Sequence, residues 1–141
     1  MGLTYIFKKA EFNYGSQAEF IYRHDENNQG YTLGNRFQSS VWGSYQTSSF
    51  MSHSLRLNYE WQGDISGVDK NLAISPNINP TASPKNQGGD WINLLFGTNF
   101  IVGNHGATRI AFEFGIPVYQ NVNNLQMDRD HFLIGGISQS F

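Results

Sequence analysis

Charged side chains are few in this sequence, and those inside its patterned segments follow a rule. Glu19 and Arg23, Arg56 and Glu60, and Arg109 and Glu113 form three pairs of opposite sign, each four residues apart. On a strand that spacing puts both charges on one face, about 13 Å apart along the chain. Each charge is therefore expected to find its partner on a neighbouring strand. Arg36 also avoids the apolar positions around it. Together with Asn58, Asn93 and Asn99 these residues could line a wall of charge and amide, which selects among small solutes in the way pore-lining charges act. The same network could instead fill the interior of a small barrel and serve only to hold it together.

Other chemistry finds little support. His53 and Ser54 are the tempting nucleophile and base, but adjacent strand residues point to opposite faces. His24 and His131 fall near loops, as do Asp25, Glu26, Asp64, Asp69, Asp128 and Asp130. Such carboxylates could bind calcium with Asn oxygens; their spacing is not that of an EF-hand, and a solvated acidic rim is the expectation. The absence of cysteine excludes a disulfide framework and any Cys-based zinc or redox site. A net charge of −2 supplies no basic field for nucleic acid. The glycines at 88–89 and the GNHG run at 103–106 read as loop and turn, not as a phosphate cradle. No catalytic residue, metal or cofactor is assigned, and no enzymatic activity is expected.

The segments that must position the charged residues alternate with period two. In His53–Gln62, Leu55, Leu57, Tyr59 and Trp61 oppose Arg56, Asn58 and Glu60. In Ala107–Val118, Ile110, Phe112, Phe114, Ile116 and Val118 oppose Arg109 and Glu113. In Trp91–Val102, Ile92, Leu94, Phe96, Phe100 and Val102 oppose Asn93 and Asn99, with Leu95 interrupting the polar face. Arg36–Gln46 and Gln17–Arg23 repeat the theme, while 131–141 and 3–11 are less regular. About seven strands result, most near the 9–11 residues that cross a bilayer when tilted. The connections alternate in length: short at 12–16, 47–52 and 103–106, long at 25–35, 63–90 and 120–130. Short periplasmic turns and long extracellular loops are the habit of outer-membrane barrels.

Composition agrees. Charged residues make up 14% of the 141 residues, against roughly 25% in ordinary soluble proteins, and aromatics 15%. No apolar run approaches the ~20 residues of a membrane-spanning helix. A mean hydropathy of −0.43 is compatible with a barrel, because only every second strand residue meets lipid. Tyr22, Trp61, Trp91 and Tyr119 near one set of strand ends, with Tyr45 and Phe141 near the other, resemble an interfacial aromatic girdle. A soluble barrel would show the same alternation turned inside out. Leu72, Ile74 and Ile78 suggest that the Pro-rich loop folds over the barrel mouth. Pro117, which lacks a ladder donor, is expected where its strand leaves the membrane.

The C-terminus resembles the assembly signal of outer-membrane proteins. Gly136 and Phe141 match that pattern, while Gln139 and Ile134 depart from it. From Ser54 to Phe141, the stretches SLRLNYEWQGDISGVD, NQGGDWINLLFGTNF and TRIAFEFGIPVYQNVNNLQM resemble a bacterial family of outer-membrane transporters of the phenol meta-cleavage degradation pathway. Gly115, Ile116, Pro117, Val118, Tyr119 and Gln120, then Leu125 and Gln126, carry that resemblance. It implies an up-and-down barrel and a pore for small molecules, aromatic or hydrophobic ones included, with no named substrate.

The reading is an all-β, antiparallel transmembrane barrel in the bacterial outer membrane, one domain over 1–141. Since single-chain bacterial barrels have even strand numbers, these seven strands are expected to be the C-terminal portion of a barrel of around 10–14 strands; the alternative is that one segment is misread and eight strands close alone. Glu19, Arg23, Arg36, Arg56, Asn58, Glu60, Asn93, Asn99, Arg109 and Glu113 are expected to line the lumen. Leu55, Leu57, Tyr59, Trp61, Ile92, Leu94, Phe96, Phe112 and Phe114 are expected to face lipid. The expected partners are outer-membrane lipid, the barrel assembly machinery through the last strand, and a small-molecule substrate. A non-conducting structural or adhesive barrel, or a soluble ligand-binding barrel, are the alternatives.

Overall fold

The computed structural model describes residues 1–69, 71, 80–103 and 108–139. Nine strands occur among them: β1 Gly2–Lys9, β2 Phe12–Ile21, β3 Tyr31–Thr32, β4 Arg36–Ser48, β5 Met51–Gln62, β6 Ser66–Gly67, β7 Gly89–Val102, β8 Thr108–Val122 and β9 Phe132–Gln139. Seven of them form one antiparallel sheet in the order β1-β2-β4-β5-β7-β8-β9. Each strand thus pairs with the next long strand in sequence. β3 and β6 make a small separate ribbon between the first two long loops.

The alternation read from sequence is what the ladder uses. One apolar row runs Phe37–Trp61, Val41–Leu57, Leu55–Phe96, Phe96–Phe114 across neighbouring strands. The opposite face carries Gln38–Glu60, Trp42–Arg56, Asn58–Asn93 and Gly97–Glu113. Because the period is two, a slip of one residue would exchange the faces wholesale, and this fixes the register.

The sheet curls towards its polar face. A cavity of about 590 Å³ on that face is lined by side chains from all seven strands, from Lys8 of β1 to Ile134 of β9. The edges nonetheless stay apart: β1 and β9 are not hydrogen-bonded to each other, and the sheet is open.

Three expectations are corrected. Residues 12–16 are not a turn but the start of β2, and the chain reverses at Ala10–Glu11, where Ala10 takes the left-handed conformation at φ 49°. β7 begins at Gly89, so the long loop is shorter than 63–90. Pro117 does not mark the strand exit, since β8 continues to Val122. It pairs with Asn93 beside a bulge in which Val118 has no ladder partner. The missing N–H is thereby accommodated inside the strand. The turn at 104–106, Leu72, Ile74, Ile78 and Phe141 lie outside the described residues.

Candidate functional site

The polar face is the site. Nine of the ten charged and amide residues picked from sequence lie on it: Glu19 from β2, Arg36 from β4, Arg56, Asn58 and Glu60 from β5, Asn93 and Asn99 from β7, and Arg109 and Glu113 from β8. Arg23 follows the end of β2. Its Nη1 donates to Gly34 O at 2.7 Å and its backbone N–H to Asn35 Oδ1 at 2.8 Å, which ties down the first long loop.

None of the four-residue pairs bonds within itself. Arg56 Nη2 reaches Glu113 Oε1 at 3.1 Å, across the intervening β7. Gly97 makes that crossing possible, because a Cβ there would strike Ser54 Oγ and come within 3.2 Å of Glu113 Cγ. Arg36 Nη2 lies 3.0 Å from Glu60 Oε2. Arg109 donates twice to Asn99 Oδ1, at 3.1 and 2.7 Å. Gln38 Nε2 donates to Asn58 Oδ1 at 3.2 Å.

The sequence did not single out Arg129. It comes from the β8–β9 loop, with Nη2 2.8 Å from Glu60 Oε1 and its guanidinium 3.8 Å from the Trp91 ring centroid. Gln120 clamps its backbone with two hydrogen bonds of 2.7 and 2.8 Å. Glu60, 8% exposed, thus holds two guanidiniums at the loop end of the face. The same loop is stitched to the β5–β7 loop through Asn123 to Asp64 at 2.5 Å and Gln126 to Gly88 O at 2.6 Å. Just before β9 it carries Asp130, whose carboxyl is held below the usual range first by the backbone N–H of His131, then by its ring. That contact persists above the ordinary carboxylate pKa and is lost as pH falls.

Midway along the face the lining turns apolar. Register places Trp42, Leu95 and Phe132 in one row with Arg56. Two glycines make room for the rings: a Cβ on Gly15 would sit 2.5 Å from Trp42, and one on Gly115 would collide with Phe132. Leu95, which looked like an interruption, is 4% exposed in this row. It separates the Glu60 cluster from the cavity around Lys8, Arg109 and Glu113.

The apolar face is the outer one. Leu55, Leu57, Phe96, Phe112 and Phe114 are 44–51% exposed, and Trp91 and Leu95 alone are buried hydrophobics among the described residues. Tyr59, Trp61, Ile92 and Leu94 share that face, half-buried. Charge appears on it only at strand ends, as at Asp90, which accepts from Tyr59 Oη at 2.6 Å, and Lys9. His53 lies on this face, 3.1 Å from Thr98 Oγ1, and Ser54 on the other, so they do not meet. Gly136 lines the polar cavity.

No protein family, curated protein or solved structure matches the chain.

Proposed function

We propose that this sheet is part of an outer-membrane barrel whose apolar face meets lipid and whose polar face lines a passage for small molecules. One observation carries the reading: the distribution of side chains is inverted relative to a water-soluble protein. Large apolar residues stand outward and exposed, while ion pairs occupy the enclosed side. Each outward Leu or Phe forgoes about 1.5–3 kcal/mol of burial unless something apolar covers it, and hydrocarbon covers such a belt without specific contacts. A soluble ligand-binding barrel needs the opposite arrangement.

Polar atoms support a wetted interior. Arg36 Nε, Ser48 Oγ, Arg56 Nε, Trp91 Nε1 and Asn93 Oδ1 are buried without a protein partner, and all belong to the polar side. Buried polar groups take a partner from protein or water.

A second reading, a non-conducting barrel whose loops bind partners, draws support from the Trp42–Leu95–Phe132 row and from Arg129 folded over the mouth. Planar-bilayer recording of the protein discriminates. A stepwise current supports passage. Stable insertion without current supports the structural barrel, and a chain that stays soluble without detergent contradicts both.

A further inference from the structure

We infer that the cavity on the turn side of the polar face binds a small organic anion, a carboxylate attached to an apolar body. The inference rests on the reading of that face as the solute side and adds the class of solute.

The cavity, about 590 Å³, lies within the size range of small-molecule sites. Its charges do not balance. Lys8, Arg56 and Arg109 line it against one acid, Glu113. Glu113 is engaged by Arg56. Among the described residues Lys8 and Arg109 have no carboxylate partner, and Arg109 donates only to the neutral amide oxygen of Asn99. The chain as a whole carries −2, so this excess of positive charge is local. Acids gather instead in the loops, as at Asp25, Asp64, Asp128 and Asp130.

Two donors of the lining residues lack a protein partner. Arg56 Nε and Ser48 Oγ, both in the lining, are buried without a protein partner. The cationic ends of Lys8, Arg56 and Arg109 in the same lining can offer a carboxylate charge-assisted hydrogen bonds. Beside them Trp42 and Ile101 present apolar surface in the same lining. The Arg56 guanidinium stands 5.4 Å from the Trp42 ring centroid, which holds cation and ring together. A bare inorganic anion would leave that apolar wall unused.

The test uses the full chain folded in detergent and the probe cyclohexanecarboxylate, which is transparent where tryptophan emission is read. Its uncharged amide of similar shape is the comparison. The acid is expected to change Trp42 emission saturably, with the response lost in Trp42→Phe. The amide is expected to bind about tenfold more weakly, the loss of one charge-assisted contact. The double variant Lys8→Gln/Arg109→Gln, at two exposed positions, is expected to bring the acid down to the amide's affinity while leaving the amide unchanged. If that variant does not fold, the comparison of acid with amide on the unaltered chain decides. Equal binding of acid and amide, an undiminished acid affinity in the folded variant, or no saturable response overturns the inference. Bilayer current without carboxylate binding removes the anion site and leaves the passage; carboxylate binding without current does the reverse.

Discussion

Glu60 concentrates the energetics of the loop end, because one enclosed carboxylate serves Arg36 and Arg129. Glu60→Gln leaves two guanidiniums facing each other across a neutral amide. Both arginines are partly solvated, so the loss is expected to fall below that of a fully buried pair, at about 1–3 kcal/mol, read as a lower denaturation midpoint. Gly97 is the second sensitive position. Gly97→Val drives a branched side chain into Ser54 and Glu113 and is expected to break the Arg56–Glu113 bridge and lower the thermal midpoint of the strand signal. Gly136→Ala, where a Cβ meets nothing within 4 Å, is expected to leave it unchanged. The sequence revealed which face Arg56 and Glu113 occupy, because parity does that. It could not reveal that they pair across a whole strand, since that depends on a glycine in register on the strand between them. Nor could it find Arg129, which no periodicity marks.

At the level of elements, strand identity was legible and turns only in part: the short connection read at 47–52 holds the β4–β5 reversal. β5 and β8 alternate without fault over their middles, so their faces follow from side-chain hydrophobicity alone. The β1–β2 turn was misplaced because Ala10 takes φ 49° without a glycine to announce it. Pro117 was misplaced because a bulge absorbs it, and a bulge leaves no mark in composition. The β8–β9 loop reaches over the described part of the face through Arg129. Arg129→Ala is expected to release it, raising acrylamide quenching of Trp91 emission with little change in strand content. Unchanged quenching would mean that the clamp by Gln120 alone holds the loop. The two faces of β5 are expected to respond oppositely to charge in a lipid bilayer. Leu57→Arg should cost about 2–4 kcal/mol of folding free energy if it sits near the midplane. Asn58→Arg, one residue on, should cost far less. Similar costs at both positions would contradict the assignment of faces.

At the level of the molecule the edges matter most. A meander of seven antiparallel strands leaves its first and last strands running in the same direction. A barrel closed by antiparallel pairing throughout therefore needs an odd number of further strands beside β1 and β9. The curl brings residues of both edge strands around one cavity. What composition and alternation cannot convey is which side of such a sheet is wet, because an inside-out barrel obeys the same period. The enclosed ion pairs and outward phenylalanines support the membrane orientation. The absence of cysteine from these 141 residues allows a direct test of it. Ser54→Cys and Leu55→Cys variants, reconstituted in phospholipid vesicles, would be treated with a charged, water-soluble maleimide supplied in the water on both sides of the intact bilayer. The Ser54→Cys protein is expected to be labelled and the Leu55→Cys protein to be protected; labelling of Leu55→Cys with protection of Ser54→Cys would contradict the orientation on which the proposed passage depends.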